Sequence, residues 1–171
     1  MLKFYAEFIE LLHQELLLYG SLTELIRREQ LLIQSFDSNS LMQTISQKDL
    51  LNLQIQTLET RRIEITANLA SQVGCLPGQL NISRLLPHLE AEEQRSLTQL
   101  RDNLMESIAT AQNEARALES QYKATIGIFE NTMRYIVAEL SDSQPNKGYN
   151  RKGQTRSAQK TTHSVIVSTQ A

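Results

Sequence analysis

Apolar residues recur at steps of three and four along most of the first 140 positions, which is the helical period. In the first segment, from about Leu2 to Phe36, the stripe is Phe4, Phe8, Leu11, Leu12, Leu16, Tyr19, Leu22, Leu25, Ile26, Leu32 and Ile33. Ser21 followed by Glu24 reads as a capping box after Gly20. The stripe nevertheless stays in phase across the glycine, and one glycine inside a helix costs only about 1 kcal/mol. One helix running through Gly20 is therefore expected. Asp37-Ser38-Asn39-Ser40 breaks the pattern, because these side chains compete with the helical ladder for backbone groups. Ser40 with Gln43 offers a second capping signature.

From Leu41 the stripe resumes as Leu41, Ile45, Lys48, Leu51, Ile55, Leu58, Arg62, Ile65 and Leu69. From Leu51 onward, steps of four and three alternate. This is a coiled-coil seam, with Lys48 and Arg62 as polar interruptions. Gly74-Cys75-Leu76-Pro77-Gly78 ends it, with glycine where a left-handed cap is wanted. One short turn fits at Ile82 to Leu86. A last long helix is expected from Pro87 or Leu89, with Glu90, Glu92 and Glu93 at its positive end. Its stripe is Leu97, Leu100, Leu104, Ile108, Ala111, Ala115, Leu118, Tyr122, Ile126, Phe129, Met133, Ile136 and Leu140. The two four-residue steps at Leu118, Tyr122 and Ile126 read as a stutter.

These patterns predict an all-α fold. It is an elongated antiparallel bundle or coiled coil of about three long helices spanning 1–140, followed by a disordered tail over 141–171. So thin a bundle leaves part of each stripe uncovered. Tyr122, Ile126, Phe129, Met133 and Ile136 are bulky and adaptable. They are candidates to receive another protein's amphipathic helix, against the plainer reading of the same side chains as core.

Charge divides the chain in the same place. Residues 1–140 carry 12 Lys+Arg against 18 Asp+Glu, while 141–171 carry five basic residues against Asp142. Only Tyr149 interleaves with the tail's basic residues, so no stacking platform for nucleic acid follows. Cys75 is the single cysteine, which leaves no intrachain disulfide and no cysteine zinc cluster. Glu10 and His13 have the spacing used in di-iron bundles, but such sites need that pair twice plus two more glutamates. No phosphate loop and no nucleophile–base grouping appears. No cofactor, metal or catalytic residue is assigned. Met1 to Ile9 does not have the form of a secretory signal, and no apolar run reaches membrane-spanning length. A soluble cytoplasmic protein without direct membrane insertion is expected.

Three stretches carry a family resemblance. Lys48-Asp49-Leu50-Leu51, Leu58-Glu59 and Arg61-Arg62 resemble the second-helix pattern of FlgN-type flagellar export chaperones. In that pattern a lysine opens a leucine run that closes on Leu-Glu and arginine. Leu22, Leu25, Arg28 and Glu29 are similar to the acidic heptads of the family's first helix. Tyr149-Asn150-Arg151-Lys152-Gly153-Gln154-Thr155 resembles the family's tail motif, a tyrosine, three residues, then Gly-Gln-Thr. The family's Asn-x-x-Asn-Gly motif in the last helix is not matched at Glu119, Tyr122 and Lys123. Asn150 stands where glycine often follows the tyrosine.

The resemblance implies a cytoplasmic type III export chaperone. Its partners would be the C-terminal helices of the hook-associated (hook–filament junction) proteins, kept from premature assembly and delivered to the export gate. It also implies that Tyr149 and Gly153 belong to the docking segment for the gate's cytoplasmic domain. The rival reading is a structural coiled-coil protein that oligomerises through the same stripes without a client. A homodimer is compatible with either.

Overall fold

The computed structural model describes residues 4–142. Every regular element among them is helical: α1 (Tyr5–Ser35), α2 (Ser38–Val73), a 3-10 turn (Pro77–Gln79), α3 (Ile82–Leu85), a second 3-10 turn (Leu86–His88) and α4 (Ala91–Asp142). The chain divides into two compact units, Met1–Thr125 and Ile126–Ala171, and α4 contributes to both.

In the first unit α1 passes Gly20 without a break, as its uninterrupted stripe requires. Ser21 therefore does not cap a helix, since continuing the ladder keeps the stripe buried. The α1–α2 turn is tight. Phe36 takes a left-handed conformation (φ 56°), and the Asp37 carboxylate accepts from the Ser40 amide at 3.1 Å. Asp37, not Ser40, is thus the N-cap, and α2 starts at Ser38. Gly74 (φ 80°) ends α2 in the left-handed cap its type allows, and the Cys75 amide reaches back to the Ala70 carbonyl at 3.0 Å.

The connector is held by side chains. Asn81 caps α3 by accepting from the Arg84 amide at 2.9 Å. The Gln94 amide donates to the carbonyls of Leu86 and Leu89. Pro87 falls in the second 3-10 turn, so α4 begins at Ala91, later than its composition predicts. Glu93 accepts from the Glu90 amide at 3.1 Å and closes the helix start.

Partner pairs fix the helix directions. Glu15 meets Arg62 and Glu29 meets Lys48, so α2 runs antiparallel to α1. Tyr5 meets Glu93, Arg27 meets Glu114 and Gln30 meets Gln121, so within this unit α4 runs parallel to α1. The larger core joins Tyr5, Phe8, Leu11 and Leu12 of α1 to Ile65 and Leu69 of α2, Leu85 and Leu89 of the connector, and Leu97, Leu100 and Leu104 of α4. Leu69 and Leu97 are wholly buried. Each such side chain contributes roughly 1.5–3 kcal/mol on burial. A smaller cluster joins Ile26 and Ile33 to Leu118, with Leu22, Leu41 and Tyr122 packed against it. Ala115, expected on the seam, is exposed.

Candidate functional site

Three ion pairs tie α1 to α2; Glu7–Arg61 is solvent-exposed, and each of the other two has a buried carboxylate. Glu15 is 2% exposed and accepts from Arg62 Nε at 2.8 Å. Glu29 is 1% exposed and accepts from Lys48 Nζ through one oxygen. Its other oxygen accepts from the Tyr122 hydroxyl at 2.6 Å, which brings α4 into the same node. Burial, and then the Glu29 carboxylate, hold the Tyr122 phenol well above its ordinary value. Lys48 and Arg62, interruptions when α2 is read alone, are therefore the partners of buried acids. The signal was present in the sequence. Acids sit at 15 and 29 and bases at 48 and 62, each pair two heptads apart.

The five apolar candidates separate. Tyr122 is half-buried in the first unit, in the Ile26–Ile33–Leu118 cluster. The other four lie in the second unit and are open: Ile126 is 55% exposed, Phe129 65%, Met133 44% and Ile136 44%. Leu140, at 65%, continues the same line. At 100° per residue these five positions fall within an arc of about 80°. That is the width of one helix-binding stripe, at the a and d spacing a partner helix would interlock with. Tyr149 and Gly153 lie outside the described residues.

In the first unit, a cleft of about 280 Å³ has Phe8, Leu12, Leu85 and Leu104 among its walls, with Tyr19, Glu59 and Arg62 among its polar groups. The Tyr19 hydroxyl donates to Glu59 at 3.2 Å, and burial followed by that carboxylate raises the phenol. Glu10 and His13 are both exposed; Glu10 accepts from Gln14, and His13 Nδ1 lies 3.0 Å from the Ile9 carbonyl. They do not converge on a site. Among the described residues no group of three or more His, Cys, Asp or Glu could hold a metal ion. No helix among them is long and apolar enough to cross a membrane.

Comparison with known proteins gives one family match. The model of one family, described as FlgN protein, matches residues 1–157, which takes in every described element and the tyrosine motif of the tail. No curated protein matches the chain, and no solved structure does. The match covers far more than half of the sequence, and the chain belongs to the FlgN family of flagellar type III export chaperones.

Proposed function

We propose that the stripe Ile126, Phe129, Met133, Ile136 and Leu140 receives an amphipathic helix from the C-terminal segment of a hook-associated, hook–filament junction protein. The observation that carries this reading is the exposure of bulky apolar side chains at heptad spacing on one arc of α4, from 44% to 65%. Exposed apolar side chains gathered in one stripe mark a contact surface more often than isolated ones do. Phenylalanine supplies a rigid anchor and methionine an adaptable filler, a combination suited to an incoming helix. Family membership supplies the setting, export of flagellar subunits. Covering the client's apolar helix in the cytoplasm would keep it from assembling early. The activity needs no catalytic group and no cofactor.

The tail completes the proposal. Tyr149, with Gly153 at the family spacing, contacts the cytoplasmic domain of the export gate. A tyrosine provides a large contact at low entropic cost, and Lys147, Arg151 and Lys152 speed encounter with an acidic surface in a salt-dependent way.

Two variants separate the two contacts. Phe129→Ala with Met133→Ala should weaken client binding and leave gate binding intact. Tyr149→Ala should weaken gate binding and slow junction-protein secretion while client affinity stays unchanged. Equal gate affinity in wild type and Tyr149→Ala would remove the tail's assignment. A rod of self-associated chains that captures no junction protein would favour the structural coiled-coil reading.

A further inference from the structure

Of the ion pairs between α1 and α2, the two with buried carboxylates are spaced in a way that stability alone does not require, whereas the third, Glu7–Arg61, is exposed. Glu15 and Glu29 are two heptads apart on α1, and their partners Arg62 and Lys48 are two heptads apart on α2. The register that joins both pairs places Leu22 opposite Ile55 between them, and Phe8 opposite Leu69 beyond them. The interface therefore alternates ionic and apolar rungs, one per heptad.

Shifting α2 by one heptad in either direction destroys every ionic rung. In one direction Glu15 meets Leu69, Glu29 meets Ile55, Arg62 meets Leu22 and Lys48 meets Phe36. In the other direction Glu15 meets Ile55, Glu29 meets Leu41, Arg62 meets Phe8 and Lys48 meets Leu22. A shift of two heptads keeps one pair and strands the other acid and base. An in-register parallel pairing of two α1 helices sets Glu15 against Glu15 and Glu29 against Glu29. Stranding the two buried carboxylates is strongly unfavourable, and the half-buried Lys48 and Arg62 lose their partners as well, whereas the purely apolar rungs would tolerate any of these arrangements. Tyr122 extends the selection to α4, since its hydroxyl finds Glu29 only when that helix is also in place.

From this alternation we infer that Glu15–Arg62 and Glu29–Lys48, with Tyr122, form a register code that commits α1 to α2 in one alignment. The code bars pairing between α1 helices of different copies. It leaves self-association of the hairpin through slipped or like-with-like helices closed, independently of any client.

The test uses the full chain with Cys75→Ser and spin labels at Ser21 and Gln56, one exposed position on each helix. Three variants are compared with wild type by light-scattering mass and by the label–label distance distribution. An apolar set (Glu15→Leu, Glu29→Leu, Lys48→Met, Arg62→Leu, Tyr122→Phe) should stay helical but lose uniqueness. It should show added distances displaced by about 10 Å, the length of one helical heptad, together with species heavier than wild type. A one-sided reversal (Glu15→Lys, Glu29→Lys) should lower the thermal midpoint by about 10 °C or more. Adding Lys48→Glu and Arg62→Glu should restore most of that loss and the single wild-type distance. An apolar set with the wild-type mass and one wild-type distance would overturn the inference. So would a four-fold reversal no better than the two-fold one, and this second arm reads out even if the apolar set fails to fold.

Discussion

Leu97→Ala and Phe129→Ala should differ sharply in their effect on stability, because the same helix buries one side chain and exposes the other. Leu97 is 0% exposed in the main core. Truncating such a leucine removes its transfer term and leaves a cavity, together about 2–5 kcal/mol. At roughly 2–4 °C per kcal/mol for a chain of this size, a loss of about 3 kcal/mol lowers the thermal midpoint by about 6–12 °C. Phe129 is 65% exposed. About a third of a ring of roughly 200 Å² is covered, about 70 Å², worth at most about 2 kcal/mol. Alanine's better helix propensity returns about 0.5 kcal/mol. The net loss of at most about 1.5 kcal/mol should lower the midpoint by no more than about 6 °C, half the fall for Leu97→Ala at the same conversion, with the far-ultraviolet helical signal intact. Thermal melts of the two variants beside wild type decide the matter. If Phe129→Ala destabilises as much as Leu97→Ala, the distal stripe is core, and the docking proposal loses its basis.

Tyr122→Phe should cost about 1–2 kcal/mol, since it leaves a buried carboxylate oxygen of Glu29 without a donor; paired with Glu29→Gln in a double-mutant cycle, the two effects should be non-additive. The raised Tyr122 phenol favours the folded state below its ordinary value of about 10, and that contribution fades as pH climbs above it. Denaturant midpoints should accordingly fall between pH 9 and about 11, and less so in Tyr122→Phe, with Tyr5 and Tyr19, also raised, supplying the remainder. Gly74→Ala should destabilise by about 1 kcal/mol, because φ 80° strains any residue with a Cβ; a variant as stable as wild type would refute the strained-cap reading.

Much of the fold was legible because helical periodicity carries both the element and its buried face. The three long helices, the passage through Gly20 and the left-handed end at Gly74 all follow from position and residue type. Helix starts were read less well. Ser40 and Pro87 carry helix-start chemistry, but Asp37 and the 3-10 turn at Leu86–His88 compete for the same backbone groups and prevail. The ionic rungs escaped a helix-by-helix reading because Lys48 and Arg62 acquire their meaning only when α2 is laid against Glu29 and Glu15. Spacing alone groups Tyr122 with the docking stripe. Its hydroxyl is what draws it to Glu29, and periodicity takes no account of a polar handle on an aromatic ring. The exposure of Ile126, Phe129, Met133 and Ile136 needed coordinates, since the apolar stripe runs on from the buried Leu118 and past the stutter with residues of the same kind.

The central claim is that the distal stripe of α4 holds a client helix. Its most direct measurement is the affinity of the full chain for the C-terminal helical segment of a hook–filament junction protein, taken by titration calorimetry for wild type and for Phe129→Ala with Met133→Ala. The account predicts at least tenfold weaker binding, about 1.4 kcal/mol or more, for the double variant, whose helical content and melting curve remain close to wild type. Equal affinity in the two proteins would contradict it.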